Sequence, residues 1–355
     1  MHSRSARIVS ALLSVLAFAT CAAPSPALEP VARDGGDLSA GGRPFQAWGF
    51  NYGLGERYPI LDFFDRPTRA GLATVASDMR RARALGANTL RIYLELRAFM
   101  RSPSEPNRRA LAGLADLLER AERLGLYLDL TGDLVCRAPP RWYDHLSERA
   151  RWAVQARFWR AVARSAAGSP AVLVYELTSE PAIEDSDNWY CGEFGGYTFV
   201  QRIVRDTGRR DRSALARRWI ARLSASIRRY DRAHLIGLGL LPQTTGPFAP
   251  ANVADLLDVL LVHEYPDEDT DAAVSVVREF AAHSRPVVVG ETAPLLAPSA
   301  EWARFLRHAR RHVDGFLSFY DGRAPAEVSA GSADGWYGSM LERFIELRRT
   351  LLGRT

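Results

Sequence analysis

The chain has 355 residues, of which 47% are hydrophobic and 25% are charged, with a formal net charge of +5. This composition is typical of a globular protein and excludes an intrinsically disordered chain. The basic residues are all arginine and mix with acidic residues along the chain, as in Arg80-Arg81 and Glu119-Arg120. Such mixing indicates solvated helix faces and argues against a nucleic-acid-binding protein.

The N-terminal segment has the organisation of an export signal. Arg4 and Arg7 precede an apolar run at residues 8–19, which is too short to span a bilayer. Cys21 follows the run directly and resembles the acylated cysteine of a bacterial lipoprotein, whereas ordinary cleavage, for example after Ala27, is the alternative. We therefore expect residues 1–27 to be a signal and linker. The mature protein would be periplasmic, extracellular or membrane-anchored, touching the membrane only through a lipid.

Two cysteines remain beyond this segment, Cys136 and Cys191. In an oxidising compartment an even pair is more often bridged than free, so a disulfide is predicted, with two free thiols as the alternative. Histidines and cysteines do not cluster at the spacing of metal ligands, so the sequence predicts neither a metal nor a cofactor.

Strand-like apolar runs alternate with helical segments along the chain. The predicted strands are Phe45–Asn51, Asn88–Leu94, Leu126–Thr131, Val172–Ser179, His234–Leu240, Asp258–Tyr265, Pro286–Glu291 and Gly315–Tyr320. Apolar residues spaced by three and four predict the helices Leu72–Leu85, Ala110–Leu124, Ser147–Ala167, Asp211–Tyr230, Asp271–His283, Ser299–His312 and Tyr337–Leu352. Gly86 and Gly125 are expected to end the first two helices.

Alternation of this kind implies a parallel sheet, and eight strands are the number that closes a barrel. We therefore predict a single-domain (β/α)8 TIM barrel over residues 44–352. An open doubly wound sheet is the alternative, and it requires a glycine-rich phosphate loop after the first strand. The segment Asn51–Tyr58 lacks the third spaced glycine and leads into no immediate helix, which favours the barrel.

Two glutamates, Glu180 and Glu291, stand at the ends of the fourth and seventh predicted strands. In a parallel barrel both would project from the C-terminal face, where such enzymes do their chemistry. A carboxylate at the end of a buried strand loses hydration, which costs free energy. Two such carboxylates therefore indicate a functional role. Two carboxylates facing one cleft are the minimal equipment for hydrolysing a glycosidic bond.

The motifs around these glutamates resemble those of clan A glycoside hydrolases, most closely the cellulase-like family 5 enzymes. Ser179-Glu180-Pro181 is similar to the family's Asn-Glu-Pro after strand four, and Gly290-Glu291-Thr292 to its strand-seven motif. The resemblance extends over most of the chain beyond the leader. It implies that Glu180 is the general acid/base and Glu291 the nucleophile of a retaining mechanism.

Further residues fit the same resemblance. His263 and Tyr265 are similar to the family's His-x-Tyr after strand six, and the tyrosine would hold the nucleophile ionised. Arg91 lies among apolar residues of the second strand, where a buried arginine needs an anionic partner. The resemblance places it beside Glu291. Asn51 matches a first-strand asparagine.

The chain also departs from the family pattern. Ser179 stands where the family has an asparagine that binds the sugar 2-hydroxyl, and Thr131 stands where many members have histidine. The strand-eight tryptophan is missing, with Phe319 or Tyr320 as replacements. These differences put the usual cellulase or mannanase specificity in question.

Aromatic side chains in the predicted loops are candidates for stacking on sugar rings, because sugars present apolar faces and barrel loops carry specificity. The candidates are Trp142, Trp189, Tyr190 and Trp336. Packing of the loops beneath the predicted disulfide is the alternative role.

Together these features predict an exported, cofactor-free, monomeric retaining hydrolase that acts on a β-linked poly- or oligosaccharide or glycoside. Two alternatives stay open. One is a barrel that binds glycan at the cell envelope with weak or no turnover. The other is a transglycosylase, in which a sugar instead of water intercepts the same covalent intermediate.

Overall fold

The computed structural model describes residues 28–53, 58–132, 137, 139–194, 197–327 and 334–352. Eight parallel strands close into a barrel surrounded by helices, so the predicted (β/α)8 architecture is confirmed. Cys21 and Cys136, and the leader as a whole, lie outside the described residues. Within the described ranges, the helices lack the combined length and apolarity that crossing a membrane requires.

The strands and helices are numbered in chain order. The strands are β1 (Val31–Asp34), β2 (Asp37–Ala40), β3 (Arg43–Pro44), β4 (Ala47–Tyr52), β5 (Thr89–Leu94), β6 (Tyr127–Gly132), β7 (Val172–Ser179), β8 (Ala182–Ile183), β9 (Tyr190–Phe194), β10 (Tyr197–Val204), β11 (Leu235–Leu240), β12 (Val259–His263), β13 (Val287–Glu291) and β14 (Gly315–Tyr320). The helices are α1 (Pro59–Asp65), α2 (Arg69–Ala84), α3 (Leu96–Phe99), α4 (Arg108–Leu124), α5 (Arg141–Asp144), α6 (Glu148–Ala166), α7 (Arg212–Arg228), α8 (Pro250–Val253), α9 (Thr270–Ala281), α10 (Ser299–Ala309) and α11 (Asp334–Leu351).

The barrel runs in the order β4-β5-β6-β7-β11-β12-β13-β14, and β14 pairs in parallel with β4 to close it. Each barrel strand coincides with a predicted strand to within one or two residues at either end. The agreement reflects the apolar runs themselves, because strands of a parallel barrel are buried on both faces. Their carboxyl ends therefore meet at one rim.

Local signals set the helix ends. The side chains of Thr68, Asn107 and Asp211 accept hydrogen bonds from the first backbone amides of α2, α4 and α7. Gly125 ends α4 in the left-handed conformation at φ +64°, as the sequence predicts.

A hairpin that the sequence analysis did not predict closes the amino-terminal end of the barrel. It consists of β1, β2 and β3, and its Val31 and Leu38 pack against the first inward-facing residues of the barrel strands. The Leu38 amide donates to Asp314 Oδ1 at 2.8 Å, and the Tyr127 hydroxyl donates to the Glu29 carbonyl at 2.6 Å. This end of the barrel is thus sealed, and the opposite rim is left to carry a site.

A second small sheet, ordered β8-β10-β9, is inserted between β7 and α7. It packs against α6, where the Trp152 indole nitrogen donates to the Ile203 carbonyl at 2.9 Å. The insertion therefore stands beside the carboxyl end of β7, next to Glu180.

Candidate active site

Glu180 and Glu291 meet at the carboxyl rim of the barrel. Glu291 is the last residue of β13, and Glu180 follows β7 with its amide donating to the Gly239 carbonyl at 2.9 Å. Glu180 adopts a left-handed backbone conformation at φ +48°, which is uncommon for a residue other than glycine. One carboxylate oxygen of each glutamate and Nδ1 of His263 lie within 4.8 Å of one another. The two glutamates that the sequence predicts to act together therefore lie close to each other at one rim.

Glu291 is held by two donors. Arg91 Nη1 donates to its Oε1, and the Tyr265 hydroxyl donates to its Oε2 at 2.5 Å. Burial raises the pKa of Glu291, but the charges of His263 and Arg91 and the Tyr265 hydrogen bond outweigh it. The pKa consequently lies below its ordinary value. Glu291 is therefore kept as a carboxylate, the form that a nucleophile requires.

Arg91 is fully buried and links two carboxylates. Its Nε and Nη2 form a fork on Glu176, at 2.7 and 2.5 Å, while Nη1 reaches Glu291 and also Asn51 Oδ1 at 2.8 Å. Burial lowers the pKa of Arg91, but the negative charges of Glu176 and Glu291 raise it well above the ordinary value. The guanidinium is thus a permanent positive charge at the floor of the site.

Glu176 was not predicted from the sequence. It is a fully buried carboxylate in the middle of β7, four positions before Glu180. The sequence could have indicated Glu176, because it is a charged residue within an otherwise apolar strand. By strand alternation it lies on the same face as residues at the end of that strand. A second signal is the unmatched charge of Arg91 two strands away.

His263 ends β12 and faces both glutamates. Its Nδ1 lies 2.7 Å from Glu180 Oε1 and 3.7 Å from Glu291 Oε1. Burial lowers the pKa of this ring, but Glu291 and the hydrogen bond with Glu180 raise it above the ordinary value. His263 Nδ1 is therefore hydrogen-bonded to Glu180 and also lies close to Glu291.

Asn51 fixes the rim instead of facing the cleft. Its amide donates to the carbonyls of Gly290 and Ser318 at 2.9 and 3.0 Å. Its Oδ1 accepts from Arg91, and from the Tyr93 hydroxyl at 2.9 Å. Asn51 thus ties β4 to β13 and β14 and positions the arginine.

The geometry of the site suits the binding of a cation as well as acid–base chemistry. Glu180, His263 and Glu291 would offer one imidazole nitrogen and two carboxylate oxygens to a cation. The three residues are far apart in the sequence and meet at the rim of the barrel. Arg91 already places a positive charge beside Glu291. The site therefore consists of two carboxylates above a buried guanidinium.

The fold of the chain is shared with solved glycoside hydrolases. An exo-β-1,4-mannosidase from Opitutaceae bacterium strain TAV5 superposes with a TM-score of 0.65 at 18% identity, covering 90% of this chain and 62% of that one. A GH5_18 variant from Streptomyces cattleya, in complex with Manβ1-4GlcNAc, gives 0.59 at 18% identity, covering 77% and 70%. An endo-1,4-β-mannanase from Rhizomucor miehei gives 0.58 at 15% identity, covering 90% and 99%.

The chain has the fold of the family 5 glycoside hydrolases. The resemblance predicted from its motifs is confirmed at the level of fold. No protein-family model matches the chain, and no curated protein matches it either. The chain spans less than two thirds of the Opitutaceae mannosidase, so that protein has further segments.

Phe319 is one of the two residues proposed to replace the tryptophan of the family's eighth barrel strand, and it lies on β14. Its ring lies parallel to that of Tyr265, at an interplanar angle of 11° and a centroid distance of 6.3 Å. Tyr320 is instead completely buried, and its hydroxyl points to the Asp78 carbonyl at 3.4 Å. The prediction of Tyr320 as a sugar contact is therefore corrected, because alternation along β14 turns its ring into the core.

Trp189 and Tyr190 pack within the inserted sheet. Trp189 is 6% exposed, and the guanidinium groups of Arg151 and Arg205 lie 4.1 and 4.8 Å from its ring centroid. The Tyr190 hydroxyl contacts Arg151 and Asp144, both at 2.9 Å. These rings stabilise the insertion by cation–π contact and hydrogen bonds, so the packing alternative applies and their prediction as sugar platforms is corrected.

The other predicted sugar contacts are Trp142, Trp336 and Ser179. Trp142 is partly buried, with its ring edge-to-face with Tyr143, and Trp336 on α11 is 46% exposed. Ser179 is buried and pairs in register with Gly239 on β11. Trp142, Trp336 and Ser179 stay predictions.

Cys191 lies on β9 in the inserted sheet. Among the residues that the structure describes, it is a free thiol, 3.8 Å from Glu184 Oε1. Its predicted partner, Cys136, lies outside the described residues, and the disulfide stays a prediction.

Proposed function

We propose that the protein is a retaining hydrolase of β-linked glycans or glycosides, with Glu291 as nucleophile and Glu180 as general acid/base. One observation carries this proposal. A carboxylate oxygen of Glu180 and one of Glu291 lie within 4.8 Å of each other. Retaining enzymes need carboxyl groups about 5–5.5 Å apart, whereas inverting enzymes need about 6.5–9.5 Å to admit a water.

In the first step, the Glu291 carboxylate attacks the anomeric carbon of the sugar. The bond from that carbon to the leaving oxygen breaks, and its electron pair stays with the oxygen. Glu180 donates its proton to the same oxygen, which releases an alcohol and leaves a glycosyl ester on Glu291.

In the second step, water attacks the anomeric carbon from the face that the leaving group has vacated. Glu180 removes a proton from the water, the ester bond breaks, and Glu291 regains its charge. The anomeric configuration is inverted twice and so retained. Arg91 and Tyr265 favour the departure of Glu291, because both stabilise its carboxylate form.

The distinct environments of the two glutamates support this division of roles. Glu291 is bound by a guanidinium and a phenol, whereas Glu180 Oε2 has no hydrogen-bond partner among the described residues. That oxygen is buried, and no described side chain competes with a leaving group for it. Pairs of carboxyl groups whose surroundings differ in this way are how acid and base roles are separated.

We further propose β-mannosides as the first substrate class to test. The Opitutaceae and Rhizomucor proteins are named for β-1,4-mannoside hydrolysis, and the Streptomyces variant is in complex with Manβ1-4GlcNAc. Ser179 differs from the family's asparagine, which favours one other candidate, a barrel that binds such glycans without turnover.

Export remains part of the proposal and rests on residues 1–27 alone. Mass spectrometry of the protein from a bacterial host would read the mature N-terminus. A diacylglyceryl group on Cys21 supports a lipoprotein, and an unmodified start at or near Leu28 supports ordinary cleavage. A full-length chain that retains Met1 would contradict export.

The deciding experiment measures product release from β-mannans, β-glucans and aryl β-glycosides. Wild type is compared with Glu180→Gln, Glu291→Gln and the exposed control Glu119→Gln. Turnover by wild type and control that both site variants lack supports the proposal, as does retention of configuration in the initial product by NMR. An inverted product contradicts the mechanism. A folded wild type that binds these glycans without turnover contradicts the enzyme and supports the binding barrel.

A further inference from the structure

A second pair of carboxyl groups lies beneath the site, inside the barrel. Asp129 on β6 and Glu176 on β7 are both fully buried. The Thr131 hydroxyl lies between them, 3.1 Å from Glu176 Oε2 and 3.4 Å from Asp129 Oδ1. The barrel register sets this arrangement, because Asp129 pairs with Arg91 of β5, and Thr131 pairs with Glu176.

Positive charge beneath the site is scarce. The side-chain hydrogen bonds of Arg91 run to Glu176, Glu291, Asn51 and Tyr93. Among the described residues, Asp129 has no salt bridge, and its Oδ2 has no hydrogen-bond partner. A carboxylate that is buried without a cation costs several kcal/mol or more, and such a group takes up a proton instead.

The surroundings of Asp129 agree with this expectation. Both carboxyl groups contact the same Thr131 hydroxyl. Burial together with the negative charge of Glu176 raises the pKa of Asp129 well above its ordinary value. Arg91 acts in the opposite direction, but it is committed to Glu176. Two carboxyl groups that share one site hold a proton between them.

We propose that Asp129 is a neutral carboxylic acid that donates its proton to Glu176, and that it is a positioning residue for Arg91. The shared proton leaves one negative charge for the two-nitrogen fork of Arg91. The remaining nitrogen, Nη1, then stays on Glu291. The effect on Glu291 as nucleophile rests on the proposed function, whereas the protonation of Asp129 does not.

The protonation is tested without any substrate. Infrared difference spectra of wild type minus Asp129→Asn at neutral pH should show the carbonyl band of a protonated carboxylic acid, shifted in heavy water. The exposed control Asp116→Asn should lose only carboxylate bands. Carboxylate bands alone in the Asp129 difference would overturn the proposal.

Stability against pH gives a second, independent test. A carboxyl with a higher pKa in the folded state binds more protons there, so the free energy of unfolding falls as pH rises from its unfolded to its folded pKa. Asp129→Asn should remove that fall and unfold at an equal or higher temperature at neutral pH. A markedly lower unfolding temperature for Asp129→Asn would mean an ion paired with Arg91 and would overturn the proposal.

The positioning role is read from the acidic limb of kcat/KM, which reports the protonation of Glu291. Asp129→Leu removes the donated proton, so Glu176 draws more on Arg91 and the limb should move to higher pH by about half a unit or more. Asp129→Asn restores a donor and should restore the limb. A limb that stays fixed in Asp129→Leu, despite a lower unfolding temperature, would reduce Asp129 to a structural role. If no turnover exists, the proposed function fails and the infrared result still decides the protonation.

Discussion

His263 and Glu180 are joined by a hydrogen bond of 2.7 Å between Nδ1 and Oε1, although β11 separates the strands that carry them. At this point β11 presents Gly239, whose missing side chain leaves space for His263 and for Glu176. A Cβ atom at Gly239 would lie 3.1 Å from His263 Nε2 and 2.3 Å from Glu176 Oε1. A missing side chain thus makes room for two functional ones.

Gly239→Ala is therefore expected to disturb the site. The methyl group would displace the carboxylate of Glu176 and press on His263, with a loss of stability of about 1–3 kcal/mol. Turnover should fall at least tenfold, measured as kcat/KM on the best substrate, with chemical denaturation reporting stability. Gly168→Ala is the matched control, because nothing lies within 4 Å of a Cβ atom there. Equal effects of the two changes would contradict the packing argument.

Tyr265→Phe tests how Glu291 is kept ionised. The hydroxyl donates to Glu291 at 2.5 Å and lowers the pKa of that carboxyl. A hydrogen bond to a charged group contributes about 1.5–3 kcal/mol, so its loss should raise the pKa of Glu291 by about one to two units. The acidic limb of kcat/KM should move to higher pH accordingly. The exposed Tyr230→Phe is the control, and an unmoved limb in Tyr265→Phe would refute this role.

Glu180→Ala tests the general acid by leaving-group dependence. Proton donation typically contributes about 10²–10⁴-fold, and it matters most for leaving groups that are strong bases. The variant should lose that factor on alkyl glycosides and much less in the first step on dinitrophenyl glycosides, measured as a burst of phenolate. An equal loss on both substrate types would assign Glu180 a role other than acid.

Glu264 is expected to make the free energy of unfolding depend on pH. Burial and the charge of Asp267 raise the pKa of this carboxyl to about 7. The folded protein therefore holds a proton that the unfolded chain releases near pH 4.5, and the free energy of unfolding falls as pH rises between those values, on the order of 3 kcal/mol. Glu264→Gln should flatten this fall in urea titrations at pH 4.5 to 7.5. An unchanged slope would contradict the buried, neutral state of Glu264.

Much of the fold could be predicted from the sequence because barrel strands are buried on both faces. The strands Val172–Ser179 and Gly315–Tyr320 have the bounds that were predicted. A short apolar run between two helical segments most readily forms a buried strand. The hairpin β1–β3 escaped prediction because its strands are short and mostly exposed. The position of a short exposed strand depends on the surface against which it packs, and local sequence does not show that surface.

The residues of the candidate site also divide into those that the sequence indicates and those that depend on tertiary packing. Glu180 and Glu291 were predicted as polar residues that end apolar strands, and Arg91 as a charged residue within one. The role of His263 and the place of Arg91 beside Glu291 were predicted from the resemblance to the family 5 motifs. By contrast, the buried state of Trp189 depends on two arginines from other elements, and local sequence cannot reveal that neighbourhood.

What the sequence determined by itself is the alternation of strands and helices and the placing of polar residues at strand ends, because both follow from local periodicity. The family resemblance placed Arg91 beside Glu291, but only the tertiary structure showed that Glu176 and Asp129 lie with them. Barrel closure and register bring Arg91 between Glu176 and Glu291 and set Asp129 beside Glu176 without a cation of its own. Charge balance in a buried site depends on distances across strands, and those distances exist only after the barrel has closed.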